Sequence, residues 1–196
     1  MKRTITVILV ALAALLAGCG LVSTTGSGNV VTQEEAITGF DEVDIRQGFT
    51  VDISQGDTFS VVIRVDDNLV QYVQVVKEDS TLKIGVDGDR IYVNATLQAE
   101  VTTPELSRLT LREGSHATVS GSGGDLTIEA SGGSGADLSA FAVESATAVA
   151  TGGSQLTVNV SGKLVADASG GSKIYYLGHP TEVTTNSTGG SEILPR

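Results

Sequence analysis

From about residue 40 the chain is built of short runs in which apolar and polar positions alternate. The clearest are 40–46, 49–54, 59–65, 82–86 and 91–93, rich in Val, Ile, Thr and Phe and separated by Gly or Asp. A period of two places alternate side chains on opposite faces of an extended strand. Runs of this length with turn residues between them predict half-buried β-strands. No stretch repeats its apolar positions at the helical spacing. Residues 69–76 are ambiguous between the two periods, and their valines favour strand.

The second half adds a longer period. A glycine-containing corner recurs as Glu113-Gly114-Ser115, Ser131-Gly132-Gly133-Ser134, Thr151-Gly152-Gly153-Ser154, Ser169-Gly170-Gly171-Ser172 and Thr188-Gly189-Gly190-Ser191. From serine to serine the steps are 19, 20, 18 and 19 residues. Aligned on the serine, apolar residues fall into columns: Ala117, Ala136, Leu156, Ile174 and Ile193, then Val119, Leu138, Val158 and Tyr176. A second strand supplies Leu126, Ala146, Leu164 and Val183, then Ile128, Ala148, Ala166 and Thr185, then the small residues Ala130, Ala150, Ala168 and Ser187 before each corner. A repeat of this length predicts a β-solenoid with coils of about 19 residues, each laid parallel on the last. Paired glycines suit a sharp corner at positive φ. Stacked Ser and Thr hydroxyls are expected to hydrogen-bond from one repeat to the next.

The N-terminus carries an address. Lys2 and Arg3 precede an apolar run over residues 5–16, and Leu16-Ala17-Gly18 leads to Cys19. A basic start, a short apolar stretch and small residues at the end describe a secretory signal. The stretch falls short of the ~20 residues that span a bilayer. Leu-Ala-Gly-Cys resembles the lipobox of bacterial lipoproteins, which implies cleavage before Cys19 and diacylglycerol on its sulfur. Cys19 is the only cysteine, so no intramolecular disulfide can form. Gly20 follows, where an aspartate would resemble an inner-membrane retention signal; the resemblance implies the outer membrane in an organism that has two. The stretch 21–35, rich in Ser, Thr and Gly, reads as a flexible spacer. The chain therefore divides into a signal peptide (1–18), a lipidated Cys19 with its tether (19–36) and one all-β domain (37–196).

Charge narrows the partners. Loss of Lys2 and Arg3 leaves 10 of the 12 basic residues against 23 acidic ones, a net charge of −13. Such a surface repels nucleic acid and anionic headgroups. With no tryptophan and few other aromatics, the core must come from Val, Leu, Ile and Ala.

Three features together resemble the auto-transporter adhesin head domain, or GIN domain, family. They are the opening Gly39-Phe40-Asp41-Glu42-Val43, the passage from Asp67-Asn68-Leu69 to Thr81-Leu82-Lys83-Ile84, and the Ser/Thr-Gly-Gly-Ser corners, covering roughly residues 37–194. The resemblance implies a right-handed parallel β-helix on a secreted or surface protein, often a lipoprotein, and brings no catalytic residues. The corners here carry Gly-Gly where many relatives have Gly-Ala.

Little in the sequence carries chemistry. The two histidines, His116 in a corner and His179 before Pro180, read as solvated loop residues rather than bases beside a nucleophile. Clustered Cys and His of the zinc type do not occur. Gly132-Gly133-Ser134-Gly135-Ala136-Asp137 matches the start of a calcium β-roll nonapeptide, but position eight is Ser139 rather than a large apolar residue and the other corners lack the aspartate. Asp66-Asp67 and Asp87-Gly88-Asp89 read as solvated acidic turns. A polysaccharide-cleaving β-helix needs grouped carboxylates, and the outward carboxylates here are dispersed. No enzyme, cofactor or metal is expected. The reading is a cell-envelope lipoprotein, membrane-bound through Cys19, whose polar β face contacts a glycan or protein; the repeat serines Ser115, Ser134, Ser154, Ser172 and Ser191 are structural. An envelope scaffold or sensor, and less so a carbohydrate-active enzyme, are the alternatives. The last repeat, ending at Ile193-Leu194-Pro195-Arg196, offers strand edges through which copies could associate.

Overall fold

A computed structural model describes residues 22–88 and 90–196. The signal segment 1–18 and the lipidation site Cys19 lie outside the described residues, as does Asp89 of the acidic turn. The strands are β1 (Val22–Thr25), β2 (Val30–Glu34), β3 (Glu42–Ile45), β4 (Thr50–Gln55), β5 (Ser60–Asp66), β6 (Val73–Glu78), β7 (Thr81–Val86), β8 (Arg90–Val93), β9 (Leu97–Thr103), β10 (Arg108–Leu111), β11 (His116–Ala130), β12 (Gly135–Thr151), β13 (Gln155–Ser169), β14 (Lys173–Leu177), β15 (Glu182–Ser187) and β16 (Glu192–Pro195). The ambiguous stretch after β5 splits. Asp67–Tyr72 forms a 3-10 helix that buries Leu69, and only from Val73 does the chain run as the strand its valines favour.

The fold is all-β, but a right-handed parallel β-helix of uniform coils is not what forms. Fourteen strands make one curled, half-barrel sheet of mixed direction, and β1 with β8 makes a separate ribbon. In the first half β2 pairs antiparallel with β5, β5 with β9, and β6 with β7. The physical reason lies in the connections. The β6–β7 link is a tight turn with Asp79 at φ 53, and a hairpin link can join only antiparallel strands. The corner repeat begins at Glu113, so nothing in residues 40–108 imposes a fixed 19-residue advance.

Where the repeat exists, most of its columns are in register; in the Val119, Leu138, Val158 and Tyr176 column only Val158 and Tyr176 pair. Leu126 lies opposite Ala146, Ala146 opposite Leu164, and Leu164 opposite Val183. Ile128, Ala148, Ala166 and Thr185 line up in the same way, as do Ala117, Ala136, Leu156, Ile174 and Ile193. These parallel strands are long, and irregularities interrupt the register between Thr118 and Ser120 and between Asp137 and Ala142. Ala130, Ala150 and Ala168 are buried just before their corners. Every corner places two successive residues at positive φ, from Glu113-Gly114 (57° and 75°) to Gly189-Gly190 (62° and 77°).

A sixth corner is hidden in the first half. Gln47 (φ 52) and Gly48 (φ 75) adopt the same conformation, and Phe49 takes the place of the serine. Val51 then pairs with Ala117, and the Phe49 carbonyl accepts from the His116 N–H at 2.8 Å, as the Ser115 carbonyl accepts from Gly135. Buried Phe49 fills the bend with carbon where the other corners use a hydroxyl.

The stretch read as a flexible spacer is ordered from residue 22 onward. β2 is zipped to β5, and β1 lies parallel to β8 with Thr25 opposite Val93. A clamp at the end of β5 holds the loop between β1 and β2. Asp66 is fully buried and accepts the N–H of Gly28 at 2.8 Å and of Thr96 at 2.7 Å. Asp67 accepts from the Ser27 hydroxyl at 2.6 Å and from Asn29 Nδ2 at 2.8 Å, and Asn68 Nδ2 donates to the Thr25 carbonyl. Asp66 is therefore no solvated turn residue, while Asp67 stays exposed.

Candidate functional site

The repeat serines belong to the interior. Ser115, Ser134, Ser154 and Ser172 are at most 1% exposed, and Ser191 is half-buried. Ser134, Ser154 and Ser172 each donate their hydroxyl to the carbonyl three residues back, at 2.7, 2.8 and 2.8 Å, closing the corner. Ser115 instead donates across to the Ile45 carbonyl at 3.0 Å. Links from repeat to repeat are present as well: the Ser154 N–H donates to Ser172 Oγ at 3.2 Å, and the Ser172 N–H to Ser191 Oγ at 3.0 Å.

What faces out is set by the strand period. Because the strands pair in register, outward residues stack into rows about 4.8 Å apart. One row runs Glu42, Arg108, Thr127, Thr147 and Val165, and beside it runs Asp125, Ser145, Lys163 and Glu182. All of these but Glu182 line a shallow open trough of about 480 Å³ that also takes in Ser107. Its two cations are held at the edges. Arg108 lies 3.2 Å from Glu129 and 3.8 Å from Glu42, and Lys163 lies 2.8 Å from Glu182. Between them lie the hydroxyls of Thr127, Ser145 and Thr147.

The opposite arm of the repeats carries a second shallow trough, of about 400 Å³, lined by Thr50, His116, Asp137, Gln155 and Arg196 among others. His116 points outward, with Nδ1 3.0 Å from the Gly114 carbonyl. Asp137, the last residue of the calcium-like motif, accepts the Ser139 N–H at 2.9 Å, and that bond holds its carboxyl below the usual carboxylate range. The Glu192 carboxylate, 3.0 Å from Lys173, raises the Lys173 ammonium above its ordinary range. Tyr175 faces outward under the guanidinium of Arg196, 5.1 Å from the ring centre, while Tyr176 packs against the core. His179 is exposed. Among the described residues no three of His, Cys, Asp and Glu are grouped to hold a metal ion.

A rigid β scaffold with a repetitive, hydroxyl-bearing outer face and open troughs is built for contact over a broad surface rather than for enclosing a small molecule. Residues 39–121 and 113–180 match the family described as "Putative auto-transporter adhesin, head GIN domain", and the chain belongs to it. No curated protein matches the chain. Among solved structures, a "putative adhesin" from Bacteroides fragilis is 16% identical, with a TM-score of 0.53 over 88% of this chain and 100% of that one. A "putative adhesin" from Parabacteroides distasonis is 12% identical, with a TM-score of 0.53 over 89% of this chain and all of the other. A "putative lipid binding protein" from the same species is 18% identical, with a TM-score of 0.52 over 89% of this chain and 99% of that one. At these identities the likeness is one of fold.

Proposed function

We propose that this protein is a non-catalytic binding module of the cell surface, held to the membrane by a lipid on Cys19, that receives a glycan in the trough across β3 and β10–β13. The observation that carries the reading is the paired rows of outward residues. Thr127 and Thr147 present hydroxyls at the spacing of successive strands, with Ser145 two residues from Thr147 along β12, flanked by Arg108, Asp125 and Lys163. Alcohols beside charged groups can donate to and accept from sugar hydroxyls, and an open trough admits a chain rather than a single ring. Many weak contacts on one rigid surface suit retention through multivalency. The family supports a surface role, and the Leu16-Ala17-Gly18-Cys19 motif supports the anchor.

The test is a glycan panel probed with the chain from residue 22 onward, beside a variant carrying Thr127→Ala, Ser145→Ala and Thr147→Ala. These side chains face out, so the variant should keep its melting temperature. Binding of a glycan class by the wild type and its loss in the variant is the expected result. Equal binding by both would move the site elsewhere, and release of oligosaccharide would replace the reading with an enzyme. Protease shaving of intact cells supplies the second half of the test. Peptides from the domain should appear without lysis; protection until the outer barrier is broken would favour an inward-facing scaffold or sensor.

A further inference from the structure

The β1–β8 ribbon stands apart from the main sheet, and it is the first part of the domain that the chain enters after Cys19. Only three residues separate Cys19 from Ser23. At ~3.5 Å per residue the lipidated sulfur can lie no more than about 14 Å of chain from the ribbon. From there the path is fixed. The Thr25 carbonyl is held by Asn68, the Gly26 N–H donates to Val93, and Asp66 and Asp67 hold Gly28, Ser27 and Asn29. A lipid on Cys19 therefore holds the domain against the bilayer, not at the end of a stalk.

The ribbon presents the surface that such a position requires. In β8 the side chains alternate: Arg90 and Tyr92 are half-buried, while Ile91 and Val93 are 45% and 40% exposed. Register puts Ser23 beside Ile91 and Thr25 beside Val93, both exposed as well. The outward face is thus two bare aliphatics and two hydroxyl residues. The one charged side chain on the described ribbon, Arg90, lies over the Tyr72 ring at 4.4 Å. Such a face sits comfortably at the boundary between headgroups and acyl chains.

We infer that the outward face of β1 and β8, with Ile91 and Val93 at its centre, docks on the bilayer leaflet that carries the chain's own lipid. This rests on the lipid anchor proposed above. The occupant is neutral lipid: the domain is strongly acidic and the face offers no free cation, so attraction to anionic headgroups contributes nothing.

The experiment uses the full chain, made in cells that lipidate it, in phosphatidylcholine vesicles. Lipidation blocks Cys19, so an added cysteine can carry an environment-sensitive fluorophore. Ile91→Cys places it on the ribbon, and Thr184→Cys places it on β15, an exposed strand of the main sheet. A lipid-borne quencher at the headgroup boundary should quench the emission at position 91, since docked faces enter that layer, and leave position 184 unchanged. Replacing a fifth of the lipid with an anionic one should not increase the quenching. Vesicle flotation separates the two ideas. A chain that floats with vesicles but shows equal, unquenched emission at both positions overturns the docking and leaves the anchor standing. A chain that does not float overturns the anchor, and the docking with it.

Discussion

Ala148→Asp is the sharpest test of the register. Ala148 is fully buried in β12, flanked across the sheet by Ile128 and Ala166 and along its own strand by buried Ala146 and Ala150. Its surroundings are methyl and methylene groups. A carboxyl there in its neutral form still lacks partners, at a cost of about 1–3 kcal/mol. Its extra atoms overpack a site sized for a methyl, adding roughly 1–3 kcal/mol. Ionisation would cost more, so burial would raise the pKa of the new carboxyl and the variant should be least stable at neutral to alkaline pH. The sum, about 2–6 kcal/mol, is a large share of a typical domain's ~5–15 kcal/mol. At ~2–4 °C per kcal/mol for a chain of this size, the melting temperature should fall by roughly 5–20 °C. Thermal unfolding followed by circular dichroism measures it, with Thr147→Asp as the control, because Thr147 is exposed on the other face of the same strand. If the two variants melt within about 2 °C of each other, the assignment of the Ile128, Ala148, Ala166 column to the interior is wrong.

Three further outcomes are expected. Asp66→Ala strands the N–H groups of Gly28 and Thr96 and should cost about 3 kcal/mol, read as a lower denaturant midpoint and as faster proteolysis near residue 28. Gly178→Ala and Gly171→Ala should separate sharply: at Gly178 an added methyl would meet the Val160 carbonyl oxygen at 2.2 Å, whereas at Gly171 it meets nothing within 4 Å and costs only the ~1–2 kcal/mol of a left-handed backbone. Similar midpoints for the two would contradict the close approach at Gly178. The hydroxyl of Ser27, and then the amide of Asn29, hold the Asp67 carboxyl below its ordinary range, so this part of the clamp contributes stability above the unfolded-state pKa and loses it as pH falls through the lower folded value. Amide chemical shifts of Gly28 and Asn29 in an acid titration should report that loosening, and flat shifts down to full protonation of the other carboxylates would refute it.

Where sequence and structure agree, the signal is local. Each repeat pairs with the next one along the chain, so spacing alone aligns Leu126 with Ala146 and Leu164, and serine with serine. The misses come from partners distant in sequence. The Gln47-Gly48 corner escapes notice because Phe49 replaces the serine; its signal is a single glycine before an alternating strand, as at Gly114. The order of residues 22–34 could not be read from their Ser, Thr and Gly, since it depends on β5 and β8 arriving beside them. Asp66-Asp67 looks like any acidic turn until the tertiary fold brings Gly28 and Thr96 onto the first carboxylate. In the sequence the trough residues form only a dispersed polar face, and Arg108 and Asp125 gain meaning only as neighbours of Lys163.

The all-β class, the corners and the inward columns of β11 to β13 are legible in the chain alone, because periods of two and of about 19 are properties of a single chain passing its own neighbours; in β15 the same columns end on exposed Val183 and Thr185. Strand direction in the first half, the curl of the sheet, the clamp and the exposed ribbon were decided only by the tertiary structure. Antiparallel pairing and buried polar contacts depend on which remote segment comes alongside, and that choice is made by the packing of the whole domain.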